Sequence, residues 1–148
     1  MHQRDKITLI AFLLFISFLS INCQKENLQL KFYEVDIFPM PMDEEGKAQE
    51  IIVSLKGEGF KVIKEEGNYK FHLALEVDLI TPDNKLIKGI SKIDSVAAQK
   101  EKFDKYINLE MSFILDEKYP SGKYQVIIKG QDLIGNQTAE VRQEFTLE

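Results

Sequence analysis

The chain has 148 residues, one cysteine and a net charge of −5. That length fits one domain plus a short targeting segment, and a single cysteine excludes an internal disulfide. The acidic balance argues against nucleic acid as a partner, because phosphate binders concentrate positive charge on one face.

The first residues divide into three parts. Met1 to Lys6 carries Arg4 and Lys6; Ile7 to Leu19 is uncharged and apolar; Gln24-Lys25-Glu26-Asn27 is abruptly polar. A basic start, a short apolar middle and a polar switch predict a secretory signal over 1–22 that forms a helix. A membrane-spanning helix needs about 20 apolar residues. Ile7 to Ile21 falls short of that, which leaves an uncleaved anchor as the alternative reading. Leu19-Ser20-Ile21-Asn22-Cys23 resembles the bacterial lipoprotein signal in its relaxed form, with Asn22 standing where the strict form has Gly, Ala or Ser. The resemblance implies cleavage before Cys23 and lipidation of its thiol. Residues 23–27 would then be a short tether, and the protein would be exported and held on a bacterial cell membrane. Two or more acyl chains anchor stably where one is marginal.

From Leu28 onward the apolar residues recur at every second position, which is the period of a half-buried strand. Leu28, Leu30 and Phe32 shift phase to Tyr33, Val35 and Ile37, so the first strand is expected to contain one inserted residue. Phe38-Pro39-Met40-Pro41-Met42 is expected to leave the sheet, since proline has no N–H to donate. The acidic run Asp43-Glu44-Glu45 follows it. Methionine adapts to varied surfaces, and loops at the end of a sandwich commonly carry function. Phe38, Met40, Met42, Asp43, Glu44 and Glu45 are therefore the candidate partner-binding loop.

Alternation continues in Ile51 to Leu55, Phe71 to Leu79, Ile107 to Leu115, Tyr124 to Ile128 and Ala139 to Leu147. On the second of these runs His72, Glu76 and Asp78 fall in the wet phase. Thr81-Pro82-Asp83-Asn84, Tyr119-Pro120-Ser121-Gly122 and Asp132 to Asn136 are turn sequences. Asp94 to Lys105 reads as a polar loop with at most one or two helical turns, Asp94 supplying a cap.

The expected fold is an all-β, antiparallel sandwich of about seven strands over 28–148. Gly122-Lys-Tyr, Gly130-Gln-Asp132, Gly135-Asn136 and Phe145-Thr-Leu together resemble the end of bacterial immunoglobulin-like domains. That resemblance implies an immunoglobulin-like domain, a class that mostly serves as spacer, adhesion unit or binding module.

No enzymatic constellation stands out. His72 is the only histidine that would survive cleavage before Cys23, and with the Cys23 thiol lipidated no second His or Cys is left to hold zinc with it. Asp132 and Asn136 fall short of the six to eight oxygens that calcium takes. Gly57-Glu-Gly59 lacks the third glycine of a dinucleotide loop and reads as a strand end. The expectation is a lipid-anchored, non-enzymatic binding or accessory module. It has no cofactor or metal, and an envelope protein or ligand is its partner. An envelope enzyme or enzyme inhibitor on the same scaffold is the alternative.

Overall fold

The computed structural model describes residues 28–148; the expected signal helix and Cys23 lie outside the described residues. Those residues form eight strands and no helix. They are β1 (Lys31–Pro41), β2 (Gln49–Glu58), β3 (Ile63–Glu65), β4 (Asn68–Ile80), β5 (Leu86–Lys100), β6 (Tyr106–Leu115), β7 (Gly122–Asp132) and β8 (Gln137–Leu147). All pairings are antiparallel.

One sheet has the order β1-β2-β6. In the other, β4 is flanked by β5 on one side, while β3 (at 68–70) and β7 (at 73–80) lie end to end along its other side, and β8 closes the far edge. The chain changes sheets between β2 and β3, between β5 and β6, and between β6 and β7. The two sheets bury one apolar core between them. Ile51, Val53 and Leu55 of β2 and Leu109, Met111 and Phe113 of β6 meet Leu73, Leu75 and Val77 of β4 and Val126 and Ile128 of β7. These are the inward members of the alternating runs, so period two in the sequence became one dry face per strand.

The expected phase shift in β1 is a bulge. Register jumps from Tyr33 opposite Lys56 to Asp36 opposite Ser54, and Glu34 takes a positive φ of 49°. Upstream of the bulge Phe32 points inward; downstream Val35 and Ile37 do.

Three expectations are corrected. Pro39 and Pro41 do not leave the sheet: they pair with Ile51 and Gln49 at the end of β1. This is possible because β1 is an edge strand, where a proline nitrogen can face solvent. The stretch from Asp94 is not a helical loop. It continues β5 as far as Lys100, opposite Tyr69. β5 escapes simple alternation because it carries two register shifts, one between its partners Val77 and Leu79 and one between Leu73 and Leu75. Its half-buried residues Ile87, Ile90, Ile93 and Val96 consequently fall at every third position. Finally, Asp78 is not solvated. It is 1 % exposed and receives the Gly89 N–H from the first β5 bulge at 2.8 Å.

The open edges are managed differently. β1 has two prolines and a bulge, which discourage further pairing. On β6 the Ser112 carbonyl accepts the Ser91 hydroxyl at 2.8 Å, so β5 partly covers that edge from the opposite sheet.

The sandwich has two distinct ends. The described chain enters at one, where the Leu30 N–H reaches Gln137 Oε1 at 2.8 Å. There Gly59, at φ +76°, lies so close to the Gln29 carbonyl that any Cβ would clash. The other end carries the 42–48 loop, the 81–85 turn and the 116–121 loop. From Lys31 to Met40, β1 covers most of the distance between the ends, about 30 Å at the usual strand rise.

Candidate functional site

The residues of the expected partner-binding loop divide between a strand and a turn. Phe38 and Met40 stand on the outer face of β1, while Asp43, Glu44 and Glu45 form the turn into β2. The turn is held by its own backbone and by Asp43. The Met42 N–H bonds to the Ala48 carbonyl at 2.9 Å, and Asp43 Oδ1 accepts the Lys47 N–H at 2.9 Å. Asp43 therefore shapes the turn, Glu45 pairs with Lys47, and Glu44 projects without a partner among the described residues.

Register adds residues that sequence reading missed. Phe38 lies opposite Ile52, which lies opposite Ser112; Met40 lies opposite Glu50, which lies opposite Ile114. Neighbouring strands are about 4.8 Å apart, so Phe38, Met40, Ile52 and Ile114 form one apolar patch around Glu50. Phe38 is 52 % exposed, Met40 50 %, Met42 54 % and Ile114 54 %. These four are a large share of the exposed apolar side chains of the described residues, and all lie on one face and its adjoining turn. A signal for the added residues was present. Ile52 and Ile114 occupy the polar phase of two strands that turn out to be neighbours.

Carboxylates surround the patch. The next row down the sheet is Asp36–Ser54–Glu110, and Glu117 follows β6 in the adjoining loop. The ion pairs among the described residues include none for Asp36, Glu44, Glu50, Glu110 or Glu117. On the strands of this face cations enter only lower down, where Lys56 pairs with Glu34 and lies 5.0 Å from the Tyr106 ring centre. In the adjoining loops Lys47 and Lys118 are taken up by Glu45 and Asp116.

The outer face of the other sheet is balanced by contrast. Lys92, Glu76, Lys129 and Glu140 stand in one row across β5, β4, β7 and β8. Lys92 pairs with Glu76 at 2.6 Å, Lys129 with Asp78, and Arg142 with Glu140 at 2.9 Å. Burial pushes the Asp78 carboxyl up, but the Lys129 ammonium and the Gly89 N–H outweigh it and hold it below the ordinary carboxylate value. Asp78 raises the Lys129 ammonium in return. An open trough of about 550 Å³ runs over this row. The four charges of the row each pair, with one another or with Asp78 and Arg142, so the row braces the sheet. Asp94, which also lines the trough, has no ion pair among the described residues.

Of the remaining candidates, Asp132 has a structural role. Asp132, 0 % exposed, ties two loops together: Oδ1 accepts the Ile134 and Gly135 N–H groups at 3.0 and 2.8 Å, and Oδ2 the Lys61 N–H at 2.7 Å. His72 sits on the outer face of β4, and its carbonyl accepts the Leu133 N–H at 2.9 Å. Among the described residues no three His, Cys, Asp or Glu side chains converge as a metal site would require. Comparison with known protein families and with curated protein sequences returned no match.

Proposed function

We propose that this is a lipid-anchored bacterial envelope protein whose immunoglobulin-like sandwich is a non-enzymatic binding module. The signal-like 1–22 segment and Cys23 support the anchor. Two features support the immunoglobulin-like reading. The strand order, β1-β2-β6 over β5-β4-β7-β8, has the sheet changes of a Greek-key sandwich. Tyr124, near the start of the penultimate strand, donates its hydroxyl to the Pro120 carbonyl at 2.6 Å, which matches the tyrosine corner of such domains.

The observation that carries the binding reading is the acid-rimmed patch of Phe38, Met40, Ile52 and Ile114 at the end opposite the chain's entry. A contiguous exposed apolar surface with a polar rim marks an interaction site. Chain entry at the other end gives the patch a purpose. A tether of five residues, 23–27, extends at most about 18 Å. The entry end then faces the bilayer and the patch faces away from it.

Each half of the reading has its test. Cys23→Ser should abolish incorporation of labelled palmitate and release the protein from membrane fractions; a variant that stays on the membrane overturns the lipid anchor. A photo-reactive phenylalanine analogue placed at Phe38 or Ile114 in cells should give adducts that the same group at Thr138, on the balanced sheet, does not. Equal adducts from both faces overturn the binding reading.

A further inference from the structure

We infer that the occupant of the β1–β2–β6 face is a cationic amphipathic polypeptide segment. Its apolar side chains cover Phe38, Met40, Ile52 and Ile114, and its lysines or arginines reach Asp36, Glu50 and Glu110. This rests on reading that face as the binding site and adds the chemistry of what binds there.

Charge complementarity selects this occupant. Glu50 stands inside the patch, between Met40 and Ile114, and Asp36 and Glu110 bound it on the next row. Among the described residues none of these three has a cationic partner. An uncharged apolar partner would strip water from Glu50 and return nothing, and burying an unpaired carboxylate is costly. A lysine or arginine laid over it restores the pairing. In the loops at the end of the sheet Lys47 and Lys118 are offset by Glu45 and Asp116, which leaves Glu44 and Glu117 as excess negative charge that steers a cation toward the patch.

The same charges argue against two other occupants. A second copy docked face to face would set Asp36, Glu50 and Glu110 against another set of carboxylates. An anionic lipid surface would be repelled, and the patch lies at the end remote from chain entry.

The test uses the full chain in phosphatidylcholine nanodiscs and three fluorescent octapeptides. One has four leucines flanked by paired lysines; one replaces the lysines by glutamates; one replaces the leucines by serines. Anisotropy should show the leucine–lysine peptide binding at least about tenfold more tightly than either analogue, and weakening as salt rises. Glu50→Lys with Glu110→Lys should weaken it at least about tenfold, as should Phe38→Ser with Met40→Ser. These are surface changes, and unfolding curves confirm that the variants fold.

If the glutamate peptide binds better and loses affinity with Phe38→Ser/Met40→Ser, the face is a binding site and the cationic occupant is wrong. If neither pair of substitutions changes any binding, the face reading falls as well. Self-association in sedimentation that Phe38→Ser abolishes identifies a second copy and overturns the proposal.

Discussion

The ring of Phe32, in β1 of one sheet, rests directly on the backbone of Gly130, in β7 of the other. Gly130 is an inward-facing position, between Ile128 and Asp132. Any Cβ there would run into the ring. Gly130→Ala should therefore destabilise by about 1–3 kcal/mol through overpacking. Phe32→Leu should cost roughly 1–2 kcal/mol alone through lost contact and incomplete filling. Combined with Gly130→Ala, it should recover part of that substitution's loss, because the smaller side chain leaves room for the methyl. Urea denaturation of the two single variants and the double variant measures the coupling. Strict additivity would show that ring and glycine do not share the space.

Asp78 makes stability depend on acid. Its folded carboxyl is held below the ordinary value, chiefly by Lys129 and the Gly89 N–H acting against burial. The unfolded chain then takes up a proton first, near pH 4. The stabilisation is present above that pH and is lost as pH falls through the lower folded value. Asp78→Asn should cost about 2 kcal/mol at pH 7, the scale of a charge-assisted hydrogen bond. It should also flatten the acid limb of the stability profile below about pH 4. An unchanged acid limb in the variant would assign that dependence to other carboxylates.

Neighbouring positions of β4 test the strand phase. Leu75 is buried among core residues, whereas Glu76 lies on the outer face between Lys92 and Lys129. Leu75→Asp should abolish folding, since an unpaired buried carboxylate costs more than about 4 kcal/mol. From the sequence alone, Glu76→Lys looks neutral. Register changes that expectation, because it would place three cations side by side, and like charges directly opposite one another destabilise. Glu76→Gln should stay within about 1 kcal/mol of wild type, with Glu76→Lys less stable than Glu76→Gln. Circular dichroism melting curves rank the three.

These positions also show what could be read from sequence. Five alternating runs became strands with the expected inward faces, because none of them carries an inserted residue of its own; the register shifts along β4 come from extra residues in β5. β5 was hidden because its bulges move Ile87, Ile90, Ile93 and Val96 to a three-residue spacing, which resembles neither regular period of a strand nor a full helical stripe. The short β3 offers only Ile63, Lys64 and Glu65, too few residues to show a period. The candidate site was half legible. Phe38 and Met40 stood out by composition, whereas Ile52, Glu50, Ile114 and Glu110 join them only through inter-strand register, which no local pattern encodes.

Tyr124 separates the worth of a hydrogen bond from the worth of a ring. The side chain is 1 % exposed, stacks on Phe145 with ring centres 5.4 Å apart, and donates to the Pro120 carbonyl. Pro120 itself is exposed, so its carbonyl can turn to water when the hydroxyl is removed. Tyr124→Phe should therefore cost only about 1 kcal/mol. Tyr124→Ala, which also removes the ring, should cost about 3–5 kcal/mol. The hydroxyl also has an alkaline signature. Burial raises its pKa, with the nearby negative charge of Asp83 acting in the same direction. The unfolded phenol ionises first, near pH 10. Stability from this group is full below that pH and declines as pH rises toward the higher folded value. Comparing wild type with Tyr124→Phe isolates it from the other tyrosines. The stability gap between the two proteins should narrow above about pH 10. A gap that stays constant through that range would mean that the buried hydroxyl ionises as easily in the fold as in the unfolded chain.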